Sequence, residues 1–154
     1  MNSRFMQTAI EIALKGINQG HGPFGAVIVQ KDQIVGMGTN QVTKNLDPTA
    51  HAEVSAIRNA CHKLNTFSLA GCTLYTSCEP CPMCLGAIFW ARLDTVYYGA
   101  TRADAARANF DDHYFYEELK KPLPKRAIPM NQLMRLDALT IFSAWEALGD
   151  KVPY

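Results

Sequence analysis

The sequence predicts an α/β fold: a three-layer α/β/α sandwich with a mixed central sheet of about five strands and helices on both faces. Three observations lead there. The chain opens with apolar residues at helical spacing, short β-rich runs then alternate with helical stretches, and no repeat or low-complexity tract interrupts the alternation. At 154 residues it reads as a single domain, 1–154. A chain of this size buries roughly 68–70% of its unfolded surface, so it needs no metal or disulfide staple to fold, and a metal site would be there for chemistry.

Phe5, Met6, Ala9, Ile10, Ala13, Leu14 and Ile17 follow the period of an amphipathic helix. "HGPFG" turns the chain, and "AVIVQ" and "IVGMGT" flank the polar "KDQ" as a β-hairpin. After the loop "NQVTKNLDPTA", "HAEVSAIRNACHKL" is a helix, with Asp47, Pro48 and Thr49 as start signals. "CTLYT" is a buried strand, "PMCLGAIFWAR" an apolar helix, "TVYYGA" a strand and "RADAARAN" a short helix. Beyond the Pro-broken "KKPLPKRAIP", "MNQLMRL" is expected as the last strand and "DALTIFSAWEALG" as the last helix.

The formal charge of +1 gives no global basic field, which argues against a partner held mainly through phosphates. No apolar run approaches the roughly 20 residues that span a bilayer. Glu11 interrupts the N-terminal apolar stretch, which lacks a secretory core. Five cysteines, three of them within "CEPCPMC", do not resemble a secreted disulfide framework; a cytoplasmic, reducing location is expected.

The stretch "TSCEPCPMC" admits several readings. Cys81 and Cys84 form a C-x-x-C redox pair at a helix start. Cys78, Cys81 and Cys84 also open an iron–sulfur run, but Ile88 and Phe89 stand where that run needs Cys-Pro. A structural zinc site needs a second ligand pair at finger-like spacing, and the chain has no second C-x-x-C and no H-x₃₋₅-H. It does have "TAHAEV": His51 with Cys81 and Cys84 makes three ligands and leaves a fourth position for water, the arrangement of catalytic zinc. Pro82 suits a first helical turn, and Cys78, ahead of Pro80, is expected to be a loop thiol. Residues two apart do not share a helix face, so the mouth of the helix, not its side, would border the metal. Glu53 would then stand beside the water as proton carrier without ligating.

His51-Ala52-Glu53 together with Pro80-Cys81-Pro82-Met83-Cys84 reproduces the H-x-E…P-C-x-x-C pattern, and the chain thereby resembles the zinc-dependent cytidine deaminase superfamily. Within it the chain is similar to the bacterial guanine deaminases, through "GPFGAVIV", "DPTAHAEV", "LYTSCEPCPMCLGAIFWAR", "ANFDDHYFYEEL" and "FSAWEALGDKVPY". The first three stretches have counterparts in tRNA adenosine deaminases; the last two favour the guanine enzymes. The resemblance implies a cytidine deaminase-like fold, Zn²⁺ on His51, Cys81 and Cys84, and Glu53 as proton shuttle. Asn40 and Asp112 would hydrogen-bond the purine, Phe24 and Trp90 would pack on its ring, and Ala52 would lie against it at the helix mouth. It further implies a homodimer whose C-terminal helix and tail, about residues 137–154, exchange between subunits so that Tyr154 caps the partner's pocket.

Taken without the resemblance, several of these residues have ordinary readings. Asn40 is a turn residue, Phe24 and Trp90 are core aromatics, Asp112 is a cap or solvated acid, and Tyr154 is a chain end. His21, His62 and His113 read as surface or satisfied core residues, and Cys61, Cys72 and Cys78 lie outside the motif. The activity implied is hydrolysis of the free base guanine to xanthine and ammonia, with no nucleic-acid or membrane partner. The alternatives are the same chemistry on adenosine in tRNA or on cytosine, and a zinc-stabilised binding module without turnover.

Overall fold

The computed structural model describes residues 2–154. They form two compact units that divide after Asp112.

In the first unit, α1 (Ser3–Ile17) starts on Asn2, whose Oδ1 accepts the Arg4 N–H at 3.2 Å. Its buried residues Phe5, Ala9 and Ala13 recur every four positions and so lie on one stripe. β1 (Gly25–Gln30) and β2 (Gln33–Thr39) form the expected hairpin, and Lys31 and Asp32 between them both take positive φ, as a two-residue primed turn requires. Two further strands follow, β3 (Thr73–Cys78) and β4 (Thr95–Ala100). Among the described residues the sheet has four strands in the order β2-β1-β3-β4. β1 is antiparallel to both neighbours and β3 is parallel to β4, so the sheet is mixed.

β1 is buried along nearly its whole length because each of its faces meets a helical layer. Val27 and Val29 face α1 beside Tyr75, whose ring lies 5.4 Å from that of Phe5. Ala26, Ile28 and Leu74 face the opposite layer, formed by α3 (Ala52–Leu64) and α4 (Pro82–Trp90). Fully burying a side chain such as Ile28 or Leu74 contributes about 1.5–3 kcal/mol. A short α2 (Val42–Asn45) precedes α3 where the sequence suggested only loop, and α5 (Arg102–Arg107) follows β4 with a Thr101–Asp104 capping box.

This topology places the helix starts. β2, β3 and β4 all run the same way, so the chain leaves β2 and β3 at the same sheet edge, and α3 and α4 both begin there. α3 comes very close to β2 through Ala52 and Ala56. A Cβ on Gly38 would lie 2.2 Å from the Ala52 carbonyl and 2.5 Å from the Ala56 nitrogen.

The second unit contains α6 (His113–Lys120), a 3-10 turn (Leu123–Lys125) and α7 (Arg135–Ala147). Glu118 joins its first half together, pairing with Lys121 and accepting the Ala127 N–H at 2.7 Å. The strand expected at "MNQLMRL" does not form: residues 130–134 pair with no strand, and α7 starts at Arg135. A β-rich composition makes a strand only where a neighbouring edge offers a ladder. The large apolar residues of α7, among them Leu136, Ile141, Phe142 and Trp145, are exposed. No helix among the described residues is long and apolar enough to cross a membrane.

Gly38→Ala should force α3 off the sheet and lower unfolding stability by about 1–3 kcal/mol, the usual range for overpacking. Urea denaturation checks this, and an unchanged midpoint would mean that the close contact is not needed.

Candidate metal centre

His51 and Cys81 occupy equivalent places, each the N-cap of its helix with extended backbone, at φ −69° and −70°. Neither uses its side chain to cap its helix, so both side chains are free to turn outward from the helix mouth. The start signals Asp47 and Thr49 do not cap α3 either. Asp47 Oδ1 accepts the Thr49 N–H and hydroxyl at 2.8 and 2.7 Å, shaping the turn that delivers His51 to the cap. Pro82 fills the first position of α4, and Cys84 lies one turn on, fully buried.

The three donor atoms converge. His51 Nδ1 is 3.6 Å from Cys81 Sγ and 3.5 Å from Cys84 Sγ, and all three lie within 4.8 Å of one another. Zinc bonds of about 2.0–2.1 Å to nitrogen and 2.3 Å to sulfur, at tetrahedral angles, would separate nitrogen and sulfur by about 3.5–3.6 Å. The donor set therefore fits tetrahedral zinc. His51 and Cys81 are only half-buried, which leaves one side of the group open.

The protonation of the group shows how crowded with acceptors it is. Contact with Cys84, and with His51 nearby, holds the Cys81 thiol down at about 4 against its burial. The same contact, with burial and the charge of Glu53, drives Cys84 upward. His51 is raised, chiefly by its hydrogen bond with Cys81. Two thiols and an imidazole thus compete for protons in a space where one cation would satisfy all three.

Glu53 adjoins the group without belonging to it. Its carboxylate is 6% exposed, and burial pushes its pKa up. Oε1 accepts the Thr76 hydroxyl at 3.2 Å and Oε2 accepts the Cys84 thiol at 3.4 Å. The position agrees with the expectation that the helix mouth borders the site.

A hydrogen-bonded frame holds further residues near this edge. Asn40 N–H donates to the Phe24 carbonyl at 3.1 Å, and Gln41 N–H to the Ala50 carbonyl at 2.8 Å, which ties Phe24 and Asn40 to the residue before His51. Asn40 is buried, and its Oδ1 accepts the Val42 N–H at 3.2 Å, leaving Nδ2 as a donor. A Cβ at Gly22 would stand 3.0 Å from the Asn40 side chain, which would have to shift by a few tenths of an ångström to admit it. The ring of Phe24 meets that of Phe110 edge-on at 5.0 Å. Asp112 is raised first by partial burial and then by the charge of Cys81, so it lies within electrostatic reach of the metal group. Ala52 is fully buried directly after His51.

Trp90 ends α4, nine residues or about 13 Å along the helix from Cys81, and is 66% exposed. Tyr154 belongs to the second unit and is exposed. Cys78 is the last residue of β3, buried, and not the loop thiol expected. It donates to the Thr101 carbonyl at 3.7 Å, and burial raises it to about 11. Among the described residues it joins no metal group, so the three-cysteine cluster reading does not hold. Thr76 and Phe110 were not singled out from sequence. Thr76 had a signal, a hydroxyl in a strand position where alternation from Leu74 demands an apolar side chain; Phe110 had none beyond its place before "DD".

Comparison with known proteins agrees with this geometry. Residues 1–100 match the family described as the cytidine and deoxycytidylate deaminase zinc-binding region. The chain is 51% identical to guanine deaminase of Bacillus subtilis over 97% of both chains. The crystal structure of that enzyme superimposes with a TM-score of 0.97, covering 100% of this chain and 99% of the other. A tRNA-specific adenosine deaminase of Aquifex aeolicus is 42% identical, but over 62% of this chain and 64% of its own. A solved structure in complex with 8-azaguanine is 32% identical with a TM-score of 0.68, covering 71% of this chain and 63% of its own. With three zinc-compatible donors at two helix mouths and likeness across its whole length, this chain belongs to the zinc-binding cytidine and deoxycytidylate deaminase family.

Proposed function

We propose that the protein hydrolyses free guanine to xanthine and ammonia. The observation that carries the chemistry is the buried Glu53 carboxylate set against three metal donors. Likeness to a guanine deaminase, 51% identical along 97% of the chain, supports guanine as the base; the tRNA-specific relatives are more distant, 42% identical over 62% of the chain or 33% over 88%.

His51 Nδ1, Cys81 Sγ and Cys84 Sγ are the residues that would hold zinc. Zinc supplies Lewis acidity, which brings the pKa of a water toward neutral. Glu53 takes a proton from the water and passes it to a ring nitrogen of the base. The water oxygen bonds to the amino-bearing carbon; Glu53 then takes the remaining proton from that oxygen and gives it to the amino group as the carbon–nitrogen bond breaks and ammonia leaves. Guanine plus water thus becomes xanthine plus ammonia. Ala52, at the mouth of α3, lies among the helix's unpaired N–H donors, where negative charge developing on the substrate is favoured. Asn40 Nδ2 donates to an acceptor on the base. Asp112 accepts from adjacent N–H groups on the guanine edge with its two oxygens. Phe24, braced by Phe110, stacks on the ring.

We assign Trp90, with Phe24, to the wall around the base, and Tyr154 to the site of a second copy. The exposed apolar residues of α7 support a homodimer in which the C-terminal helix and tail, from about residue 137, exchange between subunits. Five unpaired cysteines suit a reducing cytoplasm.

The function is tested by ammonia release from guanine, adenine, cytosine and a tRNA anticodon arm, assayed in parallel. Guanine should be the fastest substrate; preference for the tRNA arm, with steep salt dependence, would replace the reading. Glu53→Gln should keep its zinc and fold while turnover falls about a hundredfold or more. Near-normal turnover would remove Glu53 from its role. Asp112→Asn should lower kcat/KM on guanine by about 10–100-fold, the loss of one charged hydrogen bond, with zinc content unchanged. Chelation should abolish turnover while far-UV circular dichroism stays near native, because neither core cluster includes a metal donor. Unfolding on chelation would favour a zinc-stabilised module instead.

A further inference from the structure

Thr76 places a hydroxyl in the interior of β3, 1% exposed, between the buried side chains of Leu74 and Cys78 on the same face. Leu74 packs there with Ala26, Ile28 and Ile88. A hydroxyl in such surroundings is unfavourable unless hydrogen-bonded, by about 1–3 kcal/mol on mutational scales. Its side-chain partner is Glu53 Oε1, at 3.2 Å.

Glu53 has one other side-chain donor, the Cys84 thiol on Oε2 at 3.4 Å. A cysteine that ligates a metal does so as thiolate and has no S–H to give. With an ion in place, Thr76 is therefore the side-chain donor that remains on the carboxylate, at Oε1, beside the backbone N–H of Glu53 itself. β3 is a central strand, bonded on both sides, so the hydroxyl sits on one of the stiffest parts of the molecule. We propose that Thr76 is a positioning residue, which fixes Glu53 through Oε1 so that Oε2 is the oxygen that carries the proton. This deepens the deaminase reading and rests on it.

The test compares Thr76→Val, which keeps the branched shape and removes the hydroxyl, with Thr76→Ser, which keeps the hydroxyl and removes the methyl. Zinc content, kcat and KM on guanine, and high-resolution structures of the zinc-loaded variants are read together. The valine variant should lose about 10–100-fold in kcat, as second-layer changes at metal sites do, with KM and zinc content unchanged. Its Glu53 carboxylate should rotate or become disordered. The serine variant should keep both the rate and the carboxylate position. Wild-type kcat in Thr76→Val, an unmoved Glu53, a loss that tracks zinc loss, or an equal loss in Thr76→Ser would each overturn the proposal. Should Thr76→Val be insoluble, Thr76→Ala removes the same hydroxyl and faces the same criteria. If the wild-type protein does not turn over guanine, the function reading fails, and the Glu53 positions in the zinc-loaded structures still decide the role of Thr76.

Discussion

Two helices that begin at the same sheet edge are what the rest of this structure depends on. β1 is antiparallel to both β2 and β3, so those two strands end on the same side, and α3 and α4 start there. His51 and Cys81 are the N-caps of those helices. A side chain at an N-cap ordinarily turns back to satisfy its own helix's N–H groups. Here neither does, and both meet Cys84 instead. The precision of the donor triangle then derives from strand pairing and from the small residues that let α3 lie on β2, not from the cysteine loop itself.

The electrostatics of this arrangement explains why a cation belongs in it. Two helix starts contribute positive potential to the site, which favours thiolates over thiols. The same potential would disfavour a free cation were the donors neutral, so the site suits an ion only together with its two sulfur charges. Glu53 brings a further negative charge into the same buried space, and burial raises its pKa. A carboxylate so placed holds a proton more readily than a solvated one. The Thr76 hydroxyl reaches Oε1 from the sheet side.

Much of this was legible in the sequence. The hairpin around Lys31 and Asp32, the strand "TVYYGA" and the helices flanking the histidine and the cysteines are local patterns, and they form close to where hydrophobic periodicity put them. The trio was legible through spacing, because H-x-E and P-C-x-x-C each need a helix start and the chain supplies one for each. Less was legible where tertiary context decides. "MNQLMRL" has the composition of a strand but finds no edge to pair with. Cys78 looked like loop because Pro80 follows closely, yet β3 runs on to include it. Phe110 is visible only once the chain returns to place its ring against Phe24.

The contrast between the trio and its surroundings bears on how one zinc chemistry can serve different substrates. In the proposed mechanism, His51, Glu53, Cys81 and Cys84 specify attack by water at an amino-bearing carbon and say little about which ring carries it. We assign recognition to groups arranged around them: the carboxamide of Asn40, held by the Val42 N–H, the pair of rings at Phe24 and Phe110, and the carboxylate of Asp112. A free base offers no phosphate or ribose, so affinity must come from stacking and from matching its polar edge atoms one by one. A near-neutral chain with a donor on one side and an acceptor on another is suited to that task and poorly suited to tracking a nucleic-acid backbone. In this reading, substrate choice within the family is set by the frame around the metal while the metal donors stay the same.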